Sequence, residues 1–189
     1  EAILDYSETI ELKPDHVMAL FHRGESFFKL RALELSVKDF DKVIELDADF
    51  AQAYNNRGLA LSALGKSNQA IADYTKAIKL NAEFTEAYYN RGSSYLSQNQ
   101  VQYSVKDFDK ALKLDPNLAQ AYNYRGVALF NLGDPRKAIL DLTKAIELDP
   151  RSENSHNNIG LVYAHLGLHG SAIKSYSVGI QVNSDFAEG

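Results

Sequence analysis

His165 and His169 stand four residues apart, the interval at which two imidazoles on one helix could share a metal ion. Gly167 lies between them where a turn is expected, and no third ligand accompanies them. No metal site is therefore expected. Carboxylates occur close together, as in Asp47 with Asp49 and Asp107 with Asp109. Their places on a helix are outward or matched to a basic residue, so acid–base catalysis is not indicated. The glycine-rich phosphate loop ending in Gly-Lys-Ser/Thr is absent, and no Ser-His-Asp set has a strand–turn setting. The 189 residues include no cysteine, which removes thiolate nucleophiles, thiolate metal sites and disulfides. Neither an enzymatic activity nor a cofactor is expected. What remains are side-chain amides and rings that recur along the chain. A side-chain amide both donates and accepts. Such a row could hold the backbone of an extended peptide without reading its side chains.

Composition restricts the partner. The chain is 45% hydrophobic and 24% charged, within the range of folded soluble domains. Its net charge is -5, with twenty basic residues scattered among twenty-five acidic ones. A nucleic-acid surface needs a basic stripe, and helical-repeat RNA readers are disfavoured on the same ground. No apolar run approaches eighteen residues, and no signal-peptide pattern opens the chain, so no membrane association is expected. A cytoplasmic location is the default expectation.

The amide row has a period. Gly24, Gly58, Gly92, Gly126 and Gly160 recur every 34 residues, and Arg23, Arg57, Arg91 and Arg125 precede the first four. Five units follow, at 17–50, 51–84, 85–118, 119–152 and 153–186, with a half unit at 1–16 and a tail at 187–189. Within a unit the apolar residues fall on two helical stripes; Ala138, Ile139, Leu142, Ala145 and Ile146 form the clearest. Gly65, Gly133 and Gly167 suit the left-handed residue that ends a first helix, and Asn99 is tolerable there. Arg31 holds the equivalent place without explanation. Asp134 is suited to cap the next helix and Pro135 to begin it. Glycine within a helix costs about 0.5 to 1 kcal/mol relative to alanine, so the recurrent glycine implies a close helix crossing. Ala70, Ala138 and Ala172, with Ser36 and Ser104 in two other units, are expected opposite it.

Each Arg is followed sixteen residues later by Asp39, Asp73, Asp107 or Asp141, and in the fifth unit both change together, to Ile159 and Ser175. The joint change predicts an ion pair within each hairpin. An arginine row facing a ligand is the alternative.

A 34-residue two-helix unit carrying Tyr54, Tyr88 or Tyr122, then Gly, then a small residue (Ala77, Ala111, Ala145) and a terminal Pro, resembles the tetratricopeptide repeat family. The resemblance covers nearly the whole chain. It implies an all-α fold, a right-handed α-solenoid of stacked antiparallel helix hairpins with first helices lining an inner groove. It also implies a non-catalytic scaffold that binds a protein or peptide partner. The groove residues it implies are Phe21, Asn55, Asn56, Tyr89, Asn90, Asn123, Tyr124, Asn157 and Asn158. Asn56, Asn90 and Asn158 resemble the asparagine ladder of the superhelical repeats of protein O-glycosyltransferases, interrupted here by His22 and Tyr124. A substrate-recruiting arm of a larger enzyme, such as a glycosyltransferase, and an architectural or self-assembling solenoid are the alternatives. The second, fifth and sixth positions of the units hold no Lys or Arg, which argues against the clamp that grips acidic chaperone tails. Phe28 and Phe130 are further candidate anchors, whereas Tyr54, Tyr88, Tyr122 and Phe27 are expected in the core. Asparagines bonded to the preceding hairpin are the competing reading of the amide row.

The chain opens on Glu1 in the second half of a unit, so a longer array is expected. At the other end Ile173, Tyr176 and Ile180 are expected to present an apolar strip, and no polar capping helix follows Phe186. Further sequence, a neighbouring molecule or the tail is expected to cover it, with self-association as one outcome.

Overall fold

The computed structural model describes residues 2–187, with side chains described through residue 182. Phe186 and the tail therefore lie outside the described side chains. Eleven α-helices and no strand occur among the described residues. The chain divides into two compact units, 1–94 and 95–189.

The first unit contains α1 (Ala2–Leu12), α2 (Val17–Lys29), α3 (Leu33–Leu46), α4 (Ala51–Ala63), α5 (Ser67–Leu80) and the greater part of α6 (Thr85–Ser97). Consecutive helices α1 to α5 pack in chain order, and α2 also touches α4. Leu20, Phe21, Phe40, Val43 and Ala53 form one buried cluster, and Leu61, Ala70 and Tyr74 another. The second unit contains the end of α6, then α7 (Val101–Leu114), α8 (Ala119–Asn131), α9 (Pro135–Leu148), α10 (Glu153–His165) and α11 (His169–Ala187). Here α7 to α11 pack in chain order, and α8 reaches α10. Ala138 and Leu142 of α9 meet Ile159 and Val162 of α10 in its core.

Two turn types, each repeated, produce these hairpins. Between first and second helices one residue takes positive φ: Arg31 (62°), Gly65 (75°), Asn99 (58°), Gly133 (83°) and Gly167 (73°). The N–H of the next residue then donates back to the carbonyl five residues earlier, as from Ala32 to Phe27 (2.9 Å) and from Asp134 to Leu129 (3.0 Å). This is the left-handed helix stop the glycines foretell, and Arg31 adopts it despite its side chain. Between hairpins Asp47, Asn81, Asp115 or Asp149 leaves the helix, and its Oδ1 accepts the N–H two residues on at 2.9–3.1 Å. Asp134 caps α9 as expected: its Oδ1 accepts from the Lys137 N–H (3.1 Å), and Pro135 occupies the first turn. The Lys137 backbone N–H first, and the Lys137 ammonium at 2.9 Å second, hold the Asp134 carboxyl below its ordinary value.

The helical glycine sits at a tight crossing, with a different neighbour from the one expected. A Cβ on Gly58 would lie 2.6 Å from Cε1 of Tyr74, and one on Gly126 would lie 2.8 Å from Cγ of Leu142 and 3.2 Å from the Ala138 carbonyl. The glycine therefore makes room chiefly for the large side chain sixteen residues on. The alanine contributes at Gly126 through its backbone. Burial in this contact pushes the Tyr74 phenol well above its ordinary value. Ser36 and Ser104, at the alanine position, bury hydroxyls that have no partner.

Candidate functional site

The repeat arginines are engaged by side chains of their own and of the preceding hairpin. Arg57 donates from Nε and Nη2 to both Asp73 oxygens at 2.8 and 2.6 Å, and Arg125 does the same to Asp141 at 2.7 Å twice. Arg23 holds Asp39 with two bonds of 2.8 Å. The third donor, Nη1, reaches backwards by the same sixteen residues: to Ser7 from Arg23, Asp41 from Arg57, Thr75 from Arg91 and Asp109 from Arg125, at 2.7–3.1 Å. Each guanidinium also lies over a ring of its own helix, Phe27, Tyr54, Tyr88 or Tyr122, at 5.5–5.8 Å. The Asp73 bonds, with help from Asp41, raise Arg57 further above its ordinary value against the effect of burial. Arg125 behaves likewise between Asp141 and Asp109. Arg23, Arg57 and Arg125 therefore tie hairpins and offer no free donor row to a ligand. The backward partner escaped the sequence reading, although Ser7, Asp41, Thr75 and Asp109 all carry an oxygen at the same register. Arg91 and Asp107 belong to different units, and their pairing remains an expectation of the repeat.

The amide row divides into two layers. Phe21, Asn55 and Asn123 are buried, at 7%, 5% and 6% exposure. Phe21 stacks on Phe50 (4.9 Å between centroids) and tilts on Phe40 (5.7 Å), so it is a core residue rather than an exposed anchor. The reason is geometric: on α2, α4 and α8 the fifth position of the unit faces inward while the sixth lies nearer the surface. Nδ2 of Asn90 donates to Oδ1 of Asn55 (3.0 Å), and Nδ2 of Asn158 donates to Oδ1 of Asn123 (2.9 Å). An outer asparagine is thus fastened to an inner one on the preceding hairpin. Asn55 in turn donates to Asn56 Oδ1 (3.3 Å), and Asn56 donates to Glu25 Oε1 (3.3 Å). Asn157 is half-buried against α11, where a Cβ on Gly179 would come within 2.7 Å of its Oδ1, and it donates to Glu153. Tyr89 is half-buried, and Tyr124 is 37% exposed, stacked on Phe108 at 6.2 Å.

The structure adds Glu25 and Leu59 to the residues singled out by sequence. With Phe28, Lys29, Phe40 and Asn56 they line a cleft on α2, α3 and α4 of about 180 Å³. The Glu25 carboxylate is fixed at its side by His22 Nδ1 (3.0 Å) and by Asn56. Both residues occupy the ninth place of their units, a register that the tetratricopeptide resemblance already assigns to the groove. Phe130 packs instead against the core of the second unit and edge-on to His165 (5.1 Å). Among the described residues no group of three or more His, Asp or Glu could hold a metal ion, and no helix is long and apolar enough to cross a membrane.

Comparison with solved structures places this architecture among known ones. MamA aligns over 88% of this chain and 97% of its own, with 24% identity and a TM-score of 0.78. YrrB, described as a TPR protein with an unusual peptide-binding site, aligns over 95% and 93%, with 22% identity and a TM-score of 0.75. A chain of the Cut9-Hcn1 hetero-tetramer of the APC/C aligns over 97% of this chain but 36% of its own, with 19% identity and a TM-score of 0.84. None of the curated proteins compared with the chain matches it. The tetratricopeptide repeat model matches residues 51–84, 85–118 and 119–152, the second to fourth of the 34-residue units and more than half of the sequence. With its repeat register, its two turn types and its glycine crossings, the chain belongs to the tetratricopeptide repeat family.

Proposed function

We propose that the chain is a non-catalytic interaction scaffold whose first helices hold an extended peptide segment of a protein partner. The observation that carries this reading is the cleft on the first unit. Phe28, Phe40 and Leu59 give it apolar walls, and Glu25, Lys29 and Asn56 stand at its sides. Its volume of about 180 Å³ suits one aliphatic side chain, well below the roughly 300 to 1,000 Å³ of small-molecule sites. Asn56 links the cleft, through Asn55, to Asn90 of the same unit. Because Asn90 and Asn158 spend Nδ2 on the inner layer, each has its Oδ1 oriented by that bond, suited to accept a peptide N–H. Tyr89 completes the proposed wall of the first unit, with Asn55 as its support; in the second unit Asn158, Tyr124 and Asn157 form the corresponding proposed surface, with Asn123 as its support. The likeness in fold to YrrB, whose description names a peptide-binding site, is consistent with this use.

A short-peptide array probed with the purified chain tests the reading. Combined Asn56→Ala, Asn90→Ala and Asn158→Ala is expected to abolish capture while the helical circular dichroism is retained. Leu59→Asp is expected to remove preference for peptides with a central leucine. Equal capture by the unsubstituted and triply substituted chains rejects the proposal.

A further inference from the structure

Three side-chain amides of the first unit form a chain with one direction. Nδ2 of Asn90 donates to Oδ1 of Asn55 (3.0 Å), Nδ2 of Asn55 to Oδ1 of Asn56 (3.3 Å), and Nδ2 of Asn56 to Oε1 of Glu25 (3.3 Å). Every link spends its donor toward α2, and hydrogen bonds ordered in this way polarise one another. The other oxygen of Glu25, Oε2, is held by His22 Nδ1 at 3.0 Å. A carboxylate only accepts, so that nitrogen carries the proton. The imidazole is itself set between Tyr6 (5.9 Å between centroids) and, edge-on, Phe21 (5.5 Å). Both oxygens of Glu25 are therefore aimed before any partner arrives.

Orientation does not neutralise the charge. The Asn56 amide is uncharged, and His22 cancels the charge only as an imidazolium. The neighbouring guanidinium of Arg23 is committed to Asp39 and Ser7. Lys29, one turn along α2, lines the same cleft but is exposed on a flexible stem. The Glu25 side chain, by contrast, is 36% exposed, so part of its hydration is lost. It also keeps acceptor capacity, because a carboxylate offers about four lone-pair positions and the protein bonds use two. An oriented, half-buried carboxylate of this kind favours a cation over a neutral donor.

Its position determines what accompanies the cation. Glu25 shares the cleft of about 180 Å³ with the apolar walls of Phe28, Phe40 and Leu59. Along an extended peptide, side chains two residues apart lie on one face at a separation of about 7 Å, and the residue between them faces away. We propose that the peptide held by the first unit carries Lys or Arg two residues from the aliphatic side chain seated against Leu59, and that Glu25 selects it. This inference rests on the peptide capture proposed above and gives the captured segment its charge class. The second unit lacks the device. There Asn158 donates to Asn123 (2.9 Å), but Tyr124 follows Asn123 where Asn56 follows Asn55, so no relay of amides leads on to a carboxylate.

Fluorescence anisotropy of the purified chain with labelled peptides tests the selection. Each peptide holds a central leucine and, two residues before or after it, Lys, Arg, acetyl-lysine, Gln or Glu. The Lys and Arg peptides are expected to bind about fivefold more tightly than the Gln peptide, and the Glu peptide least. Acetyl-lysine, which keeps the stem and removes the charge, is expected to bind like Gln. Placing Lys directly beside the leucine is expected to lose most of the advantage, as is raising the salt from about 0.05 to about 1 M. Glu25→Gln is expected to bind the Lys and Gln peptides alike, with helical circular dichroism retained. Equal binding of the Lys, acetyl-lysine and Gln peptides by the unsubstituted chain overturns the inference and leaves peptide capture standing. A preference for the Glu peptide would assign the selection to Lys29 and overturns it too, as does a Lys preference that survives Glu25→Gln. Binding of none of the peptides overturns both this inference and peptide capture.

Discussion

A guanidinium offers five donors and no acceptor, so placing one at the joint between helices requires oxygen from more than one side. Arg125 obtains it from Asp141 ahead and Asp109 behind, yet these two carboxylates differ in surroundings. The Asp141 side chain is 10% exposed and held at two points, whereas Asp109 is 56% exposed and held at one. Removing the buried partner strands a desolvated charge, and removing the exposed one exchanges a bond for water. Asp141→Ala is accordingly expected to cost about 3 kcal/mol in urea unfolding, and Asp109→Ala about 0.5 kcal/mol. A double-mutant cycle between Arg125→Ala and Asp141→Ala should give a coupling of roughly 2 kcal/mol. Equal costs at the two aspartates would show that burial does not set the strength of the tie. The forward half of this arrangement was legible in the sequence because Arg and Asp are lost together in the fifth unit. The backward half was not, because Ser, Thr and Asp share that register and only their common oxygen unites them.

At the level of the element, the helix stops and the helix crossings make opposite demands on side-chain size. Arg31 occupies a turn with φ of 62°, a region that costs an L-residue about 1 to 2 kcal/mol. Arg31→Gly relieves that cost at some loss of unfolded-state restriction, and a net gain of about 1 kcal/mol in thermal unfolding is expected. At Gly58 the reverse holds. Alanine there would gain helix propensity of about 0.5 to 1 kcal/mol but drive its methyl to 2.6 Å from the Tyr74 ring. Overpacking of that kind typically costs about 1 to 3 kcal/mol, so Gly58→Ala is expected to destabilise despite its better propensity. Most hairpin boundaries could be read in advance because Gly, Asn and Asp-Pro have characteristic backbone preferences, Arg31 being the exception. What lies across a crossing could not, since Tyr74 and Ala70 both recur on the facing helix and only three dimensions show which one fills the gap. The same holds for the candidate site: the asparagines were visible as a row, but their division into a buried layer and an outer layer depends on how α4 rests against α2.

In a repeat array each hairpin is stabilised by its neighbours, so protection should follow the number of sides on which a helix is covered. Among the helices of the first unit, α1 has no buried residue, whereas α3 buries Leu33, Ser36, Asp39, Phe40 and Val43. Hydrogen exchange is expected to be markedly faster in α1 than in α3, read by mass spectrometry on peptides from each. Indistinguishable exchange would mean that the unit opens all at once. The backward reach of the arginines carries a consequence for rebuilding such a chain. A hairpin bearing Arg contributes a donor whose acceptor belongs to the module before it, whereas the fifth hairpin, with Ile159 in that place, contributes none. Cut-and-paste exchange of whole 34-residue modules is therefore not free: the order of the pieces, as well as their identity, decides whether every joint is fastened.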